Sequence, residues 1–134
     1  QKVWQMSGHR RALQKALYEA VSPLGFKTYD AAPQVKGGGG FPYVEIGQIV
    51  MAEFDTDTSN GFDYAVRVHV RSASNAMAET ADIQDAIYDR LHNGALEVDG
   101  YQSILIQRES SDIMRTAENT IHGVCEYRGL ITKP

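Results

Sequence analysis

The sequence has few of the residues that cross-link a small chain, and it has no long apolar run. Its 134 residues include one cysteine, Cys125, which excludes an intramolecular disulfide and a cysteine pair for zinc or redox chemistry. No apolar stretch approaches the ~18 to 20 residues needed to cross a bilayer, and residues 1–8 lack the apolar segment of a secretory signal. These absences predict a soluble, unexported protein that folds in a reducing compartment.

Basic charge is also scarce. Thirteen lysines and arginines stand against seventeen aspartates and glutamates, which gives a formal net charge of −4. Proteins that hold nucleic acid neutralise its phosphates with basic side chains, so broad DNA wrapping is disfavoured. Hydrophobic residues form 43% of the chain, enough at this length for one packed core and too many for global disorder. We therefore expect a single domain over residues 1–134, with an N-terminal segment at 1–6.

Two segments have the periodicity of amphipathic helices. In residues 7–21 the apolar side chains recur at spacings of one, three and four, and in residues 75–92 they form a similar stripe. Ser72 or Ser74 is a candidate N-cap for the second helix, and the Asn93-Gly94 pair is typical of a left-handed helix end.

Five segments are typical of strands or extended chain, namely 27–30, 43–54, 62–70, 103–107 and 120–131. In the second of these, alternation predicts one inward set consisting of Val44, Ile46, Val50, Ala52 and Phe54. The Asn60-Gly61 pair favours a hairpin turn between the second and third segments. Residues 22–42 and 55–61 are expected to be loops, the first because it contains three prolines and four consecutive glycines.

The order of these segments predicts the fold class. Because strands and helices do not alternate in a βαβ rhythm, we expect an α+β fold. Its core would be a mainly antiparallel or mixed sheet of about four to five strands, with the two principal helices packed on one face.

No motif for catalysis or metal binding is complete. The four glycines at 37–40 lead into a strand and not a helix, which favours a flexible loop over a phosphate site. Asp55, Asp57 and Ser59 begin like a calcium loop, but the required glycine comes one place late and the terminal acid position falls on Val66. The sequence therefore predicts no catalytic, metal-binding or cofactor-binding residues and no cofactor.

The polar face of the sheet allows two interpretations. Strand alternation can bring His69 and His122 together on the face that also carries Arg67 and Arg71. A small hydrolase using these histidines is the alternative function, although no nucleophile stands beside them at a recognisable spacing. In an antiparallel sheet such a face is either solvated or a subunit interface.

The hairpin loop at 55–61 is the second candidate surface. Its polar residues exceed what a tight turn needs, so it is either a solvated turn or a projection that contacts a neighbour. We take these candidate assembly-interface residues from the loop and the sheet face: Asp55, Thr56, Asp57, Thr58, Ser59, Asn60, Arg67, His69 and Arg71.

Several segments in their order resemble a known family. They are ALQKALYEA at 12–20, YDAAP at 29–33, FPYVEIG at 41–47, FDTDT at 54–58, DIQDAIYDRLH at 82–92 and TIHGV at 120–124. Together, over about residues 10–131, they resemble the tail-completion (tail terminator) family of long-tailed bacteriophages and gene transfer agents. The sequence departs from the family at Arg71-Ser72, where an aromatic residue is expected, and in the four glycines before Phe41.

The resemblance implies a structural role and no enzymatic activity. Such proteins form a ring, usually a hexamer, that caps the head-proximal end of the tail tube, ends its polymerisation and joins it to the head. The implied partners are further copies of the chain, the tail tube protein and a head-side connector or stopper protein, with no membrane. Genomic DNA would pass through the ring without specific binding, as the acidic net charge permits. The implied location is the neck region of the virion tail, after assembly in the host cytoplasm.

Overall fold

The computed structural model describes residues 8–29, 40–55, 60–73 and 75–133. The elements are α1 (Gly8–Val21), a short 3-10 turn (Ser22–Leu24), β1 (Thr28–Tyr29), β2 (Tyr43–Asp55), β3 (Asn60–Ser72), α2 (Met77–Leu91), β4 (Gln102–Arg115) and β5 (Ile121–Thr132). This is the predicted α+β class, with five strands and two principal helices. None of the helices in these ranges has the length and apolar character needed to span a membrane.

The five strands form one mixed sheet in the order β1-β2-β3-β5-β4. β1 runs parallel to β2, and every other neighbouring pair is antiparallel. The chain makes one long hairpin from β2 and β3, crosses the sheet in α2, and returns as a second hairpin whose strand β5 lies beside β3. α1 packs on β1 and β2, whereas α2 packs on β3, β5 and β4, and the two helices also contact each other.

The core lies between the helices and one face of the sheet. Alternate residues of β3 and β5 point into it, as the period-2 pattern predicted. Each fully buried aliphatic side chain contributes about 1.5 to 3 kcal/mol relative to exposure. The buried cluster includes Leu13, Ala16, Leu17, Val44, Ile46, Tyr64, Val66, Val68, Val70, Ile83, Ile87, Leu91, Cys125, Tyr127 and Ile131.

A bulge in β2 makes the predicted inward set wrong at Val50 and Ala52, whereas Val44 and Ile46 before it are buried as predicted. Two residues, Gly47 and Gln48, stand against one residue of β3 between the pairs of Ile46 and Ile49. The extra residue inverts the alternation, so Ile49 is buried while Val50 is 58% exposed. Ala52 is exposed for the same reason.

The hairpin turn also differs from the prediction. Asp55 pairs with Asn60 in the ladder, so the Asn60-Gly61 pair belongs to β3, and the residues that connect the two strands, 56–59, lie outside the described residues. The predicted loop at 55–61 is therefore shorter at both ends, because continued cross-strand pairing overrides the local turn preference of Asn-Gly. The predicted loop at 22–42 likewise contains the 3-10 turn and β1 in its described part.

The predicted N-cap of α2 is wrong, whereas its predicted C-terminal end is confirmed. Ser72 is the last residue of β3, buried, and its hydroxyl oxygen accepts a hydrogen bond from Thr80 Oγ1 at 2.9 Å. It is therefore not the N-cap, a position held by Ala76, and Ser74 lies outside the described residues. At the other end Asn93 has a φ of 57°, the left-handed conformation that was predicted for the helix stop.

Candidate functional site

The sheet face opposite the helices, called here the outer face, carries the charged residues singled out in the sequence. Arg67, His69 and Arg71 alternate along β3 with its buried residues, so all three point to this face. The register of β3 with β5 brings His122, Glu126 and Arg128 beside them.

The two outer-face histidines lie in direct contact. His69 Nδ1 and His122 Nε2 are 2.9 Å apart, and the rings stack with their centroids 5.1 Å apart. Gly47 of β2 leaves space for the His69 ring, since a Cβ atom on Gly47 would lie 2.8 Å from His69 Nε2. Only glycine leaves room for the ring at that position.

The surroundings of the pair keep both rings neutral. Burial lowers the pKa of His69, and the nearby Arg71 and Arg67 lower it further, against the opposing effect of Glu45. Burial, Arg71 and His69 together lower the pKa of His122 to about 4. Near neutral pH one imidazole therefore donates its N–H to the unprotonated nitrogen of the other.

Among the described residues, three ion pairs cross the outer face between neighbouring strands. Their nitrogen and oxygen atoms are 3.8 to 4.0 Å apart, and each pair is partly in solvent. Pairs of this kind are worth about 0 to 1 kcal/mol and weaken with salt, so they position side chains more than they stabilise the fold. The pairs are Arg71–Glu45, Arg67–Glu126 and Arg128–Asp63.

Exposed apolar side chains lie among these charges, and sequence reasoning missed them. Leu105 is 40% exposed opposite Leu130, and Met114 is 45% exposed opposite His122. Val50, opposite Ala65, belongs to the same face because of the bulge. Apolar groups interspersed with polar ones are typical of protein interfaces. The sequence held no signal for Met114, because the second half of β4 does not alternate.

The hairpin candidates are only partly described. The backbone of Asp55 pairs with that of Asn60, and these are the last paired residues on the two sides of the hairpin. Asn60 is exposed. The Asn60 carbonyl accepts a hydrogen bond from the Lys133 backbone N–H at 2.9 Å. Thr56, Asp57, Thr58 and Ser59 lie outside the described residues, so a contact made by the loop stays a prediction.

The outer face has little of what hydrolysis requires. Within the described ranges, neither His69 nor His122 is hydrogen-bonded to a serine, threonine or cysteine. Cys125 is buried on the opposite face, and burial raises the pKa of its thiol, which makes a thiolate nucleophile less accessible. The described part of the chain has no group of three histidine, cysteine or acidic side chains that could hold a metal ion.

Comparison with known proteins gives a consistent result. A chain from a structure described as "Virion of native gene transfer agent (GTA) particle" has the same fold, with a TM-score of 0.78 at 19% sequence identity. The likeness covers 92% of this chain and 97% of that chain. No curated protein sequence matches significantly. A family described as "Tail completion protein gp17" matches residues 11–132.

The family match spans β1 to β5 and most of α1, which is well over half of the chain. It agrees with the resemblance found in the sequence and with the fold shared with the virion chain. This chain therefore belongs to the tail completion protein gp17 family of structural proteins of virion tails.

Proposed function

We propose that the chain forms a closed ring at the head-proximal end of the tail tube, where it ends tube polymerisation and joins the tail to the head-side connector or stopper protein. The observation that carries this proposal is the family match over residues 11–132. The fold shared with a chain of a gene transfer agent virion supports it, because that protein is part of an assembled particle. The family resemblance favours six copies in the ring.

The outer face and the hairpin supply the assembly contacts in this proposal. Arg67, His69 and Arg71 stand beside exposed apolar side chains, and their ion pairs are weak enough to exchange for contacts with a neighbouring protein. Residues 56–59 connect two paired strands of 13 residues each, and these strands are a rigid support for a contact with a neighbouring copy or the tube.

DNA passes through the ring without specific binding. The formal net charge of −4 supports this, since an excess of acidic groups disfavours the binding of phosphates. Assembly would take place in the host cytoplasm.

Gene deletion followed by electron microscopy tests the proposal. We expect tails of irregular length, or tails that fail to join heads, and recovery when the unaltered gene is supplied in trans. A reconstruction of the complete virion would contain a closed ring of this chain at the upper end of the tube. Tails of normal length on filled heads in the deletion strain would contradict the proposal.

The hydrolase alternative rests on the contact between His69 and His122. An assembly surface can use the paired histidines as they stand. Hydrolysis would also need a nucleophile or an activated water molecule beside the rings. The structural role therefore has the stronger support.

A further inference from the structure

Helix α1 covers only part of the β2–β3 hairpin on the sheet face that carries the core. Arg10, in the first turn of α1, donates a hydrogen bond to the Ile49 carbonyl, so the helix begins close to the bulge of β2. Beyond that point the two strands remain paired as far as the end of the hairpin. Met51 and Phe62 lie on this part of the hairpin, half-buried and packed against the edge of the core.

An open cleft of about 390 Å³ lies at this end of the hairpin. We call it the hairpin cleft, and its apolar lining consists of Met51, Phe62 and Tyr101. The rings of Phe62 and Tyr101 meet edge to face with their centroids 6.3 Å apart. His9 of α1 stacks on the Phe62 ring at 4.1 Å and forms part of the wall. The apolar side chains at the edge of the core therefore line a cleft that is open in the described part of the chain.

The polar groups that line the hairpin cleft suit an indole ring. Glu53 and Asn60 carry oxygen atoms that can accept a hydrogen bond, and a buried indole N–H usually needs such a partner. Arg10 and Lys133 supply cations, which are attracted to the face of tryptophan more strongly than to other aromatic rings. The Lys133 ammonium already lies 6.0 Å from the centroid of the Tyr101 ring. Apolar contacts, acceptors and cations together match the chemistry of a tryptophan side chain.

The sequence contains one tryptophan, Trp4, in the segment that leads into α1. Residues 1–7 lie outside the described residues, but the residue that follows them, Gly8, is the first of α1. The next two residues line the hairpin cleft, so the segment joins the described chain at the cleft wall. Trp4 precedes Gly8 by four positions, and an extended chain of that length spans at most about 14 Å. The indole therefore has the reach to enter the cleft of its own chain.

We propose that Trp4 packs into the hairpin cleft of its own chain and stabilises the end of the β2–β3 hairpin. Tryptophan buries more apolar area than most other side chains, about 150 to 250 Å², and a contact with Met51 and Phe62 joins the segment to both strands. The inference goes beyond the proposed function and does not depend on ring formation. It identifies a contact that supports the strands leading to residues 56–59.

The fluorescence of Trp4 tests the contact directly, because no other tryptophan contributes to the signal. The purified chain is excited at a wavelength that tyrosine does not absorb, and its emission is compared before and after unfolding in urea. We expect the folded chain to emit at a shorter wavelength, since the cleft excludes water from the indole. We also expect acrylamide to quench the emission several-fold less in the folded chain.

Two variants of neighbouring residues locate the contact. Met51→Glu places a charge in the hairpin cleft, whereas Val50→Glu places the same charge on the outer face one residue away. We expect the first to move the emission of Trp4 towards that of the unfolded chain and the second to leave it unchanged. Circular dichroism of both variants shows whether they fold, and the measurement on the unaltered chain stands if Met51→Glu does not.

A mixture of two variants separates a contact within one chain from a contact between copies. Met51→Glu keeps its tryptophan and has an altered cleft, whereas Trp4→Ala has an intact cleft and no tryptophan. An excess of Trp4→Ala offers intact clefts to the tryptophan of the first variant. We expect the emission to stay at the longer wavelength, because each segment docks on its own chain.

Hydrogen exchange measures the effect on the hairpin. In Trp4→Ala we expect the backbone amides of residues 51–55 and 60–62 to exchange several-fold faster, because local opening becomes easier where packing is lost. The amides of α2 are expected to keep their rates. Gln5→Ala, which changes the adjacent polar residue of the same segment, is the matched control and is expected to alter neither region.

Three results would overturn the inference. The first is equal emission wavelength and equal quenching of Trp4 in the folded and the unfolded chain. The second is a return to the shorter wavelength in the mixture, which would mean that the segment docks on another copy. The third is unchanged exchange at the hairpin end in Trp4→Ala. The proposed function is tested separately by gene deletion, and its failure would leave these measurements on the purified chain unaffected.

Discussion

Lowering the pH is expected to destabilise the folded chain through the paired histidines of the outer face. The pKa of His122 lies at about 4 in the fold, below the ordinary value of 6.5 that applies when the chain is unfolded. Between these two values the unfolded chain binds a proton that the folded chain excludes. The contribution of His122 to the free energy of unfolding therefore falls as the pH drops from about 6.5 to about 4.

The size of the effect follows from the same pKa difference. Each pKa unit corresponds to about 1.4 kcal/mol, so a fully buried site would lose about 3 kcal/mol. His122 is only partly buried and water screens its surroundings, so we expect a loss of about 1 to 2 kcal/mol. The lowered pKa of His69 acts in the same direction.

Urea unfolding at several pH values between 7.5 and 4 measures this loss. The variant His122→Gln removes one titrating ring, and we expect its stability to change less across the range than that of the unaltered chain. His9→Gln is the matched control, because His9 stacks on Phe62 away from the pair. A pH dependence of equal steepness in the unaltered chain and in His122→Gln would refute this reasoning.

Three further predictions concern packing and assembly. Gly129→Ala is expected to cost about 1 to 3 kcal/mol in urea unfolding, because a Cβ atom there would meet the Leu105 carbonyl and the Tyr64 ring. Gly8→Ala, with no atom within 4 Å of its Cβ position, is the control without a clash and is expected to cause no loss, so equal losses from both would contradict the packing argument. Tyr64→Phe is expected to raise the free energy of unfolding by about 1 kcal/mol, since the hydroxyl is buried and has no hydrogen-bond partner among the described residues. A lower urea midpoint for this variant would mean that the hydroxyl is hydrogen-bonded. Asp55→Lys with Asp57→Lys is expected to reduce particle yield while the melting temperature stays constant, and normal yield would identify the loop as a solvated turn.

The fold class could be predicted from the sequence because its signals are local. The apolar spacing of α1 and α2 and the strict alternation of β3 and β5 depend only on residues a few positions apart. The ordered motifs also predicted the family that the comparison supports. The grouping of Arg67, His69 and Arg71 on one face followed from the period of a strand, whereas their role in assembly stays a prediction.

Register and the edges of the sheet were decided by tertiary structure. The bulge at Gly47 and Gln48 depends on how β2 pairs with β3, and this pairing moves Val50 to the outer face. Apolar and polar residues do not alternate in the second half of β4. This part of the edge strand is exposed on both faces, so few of its positions require an apolar side chain.

The contacts that define the candidate surfaces join residues far apart in the chain. His69 and His122 are separated by 53 positions, and only the pairing of β3 with β5 brings their nitrogen atoms to 2.9 Å. Local periodicity determined which residues face inward. The pairing of distant strands determined which outward-facing residues lie together, because those contacts depend on the whole sheet.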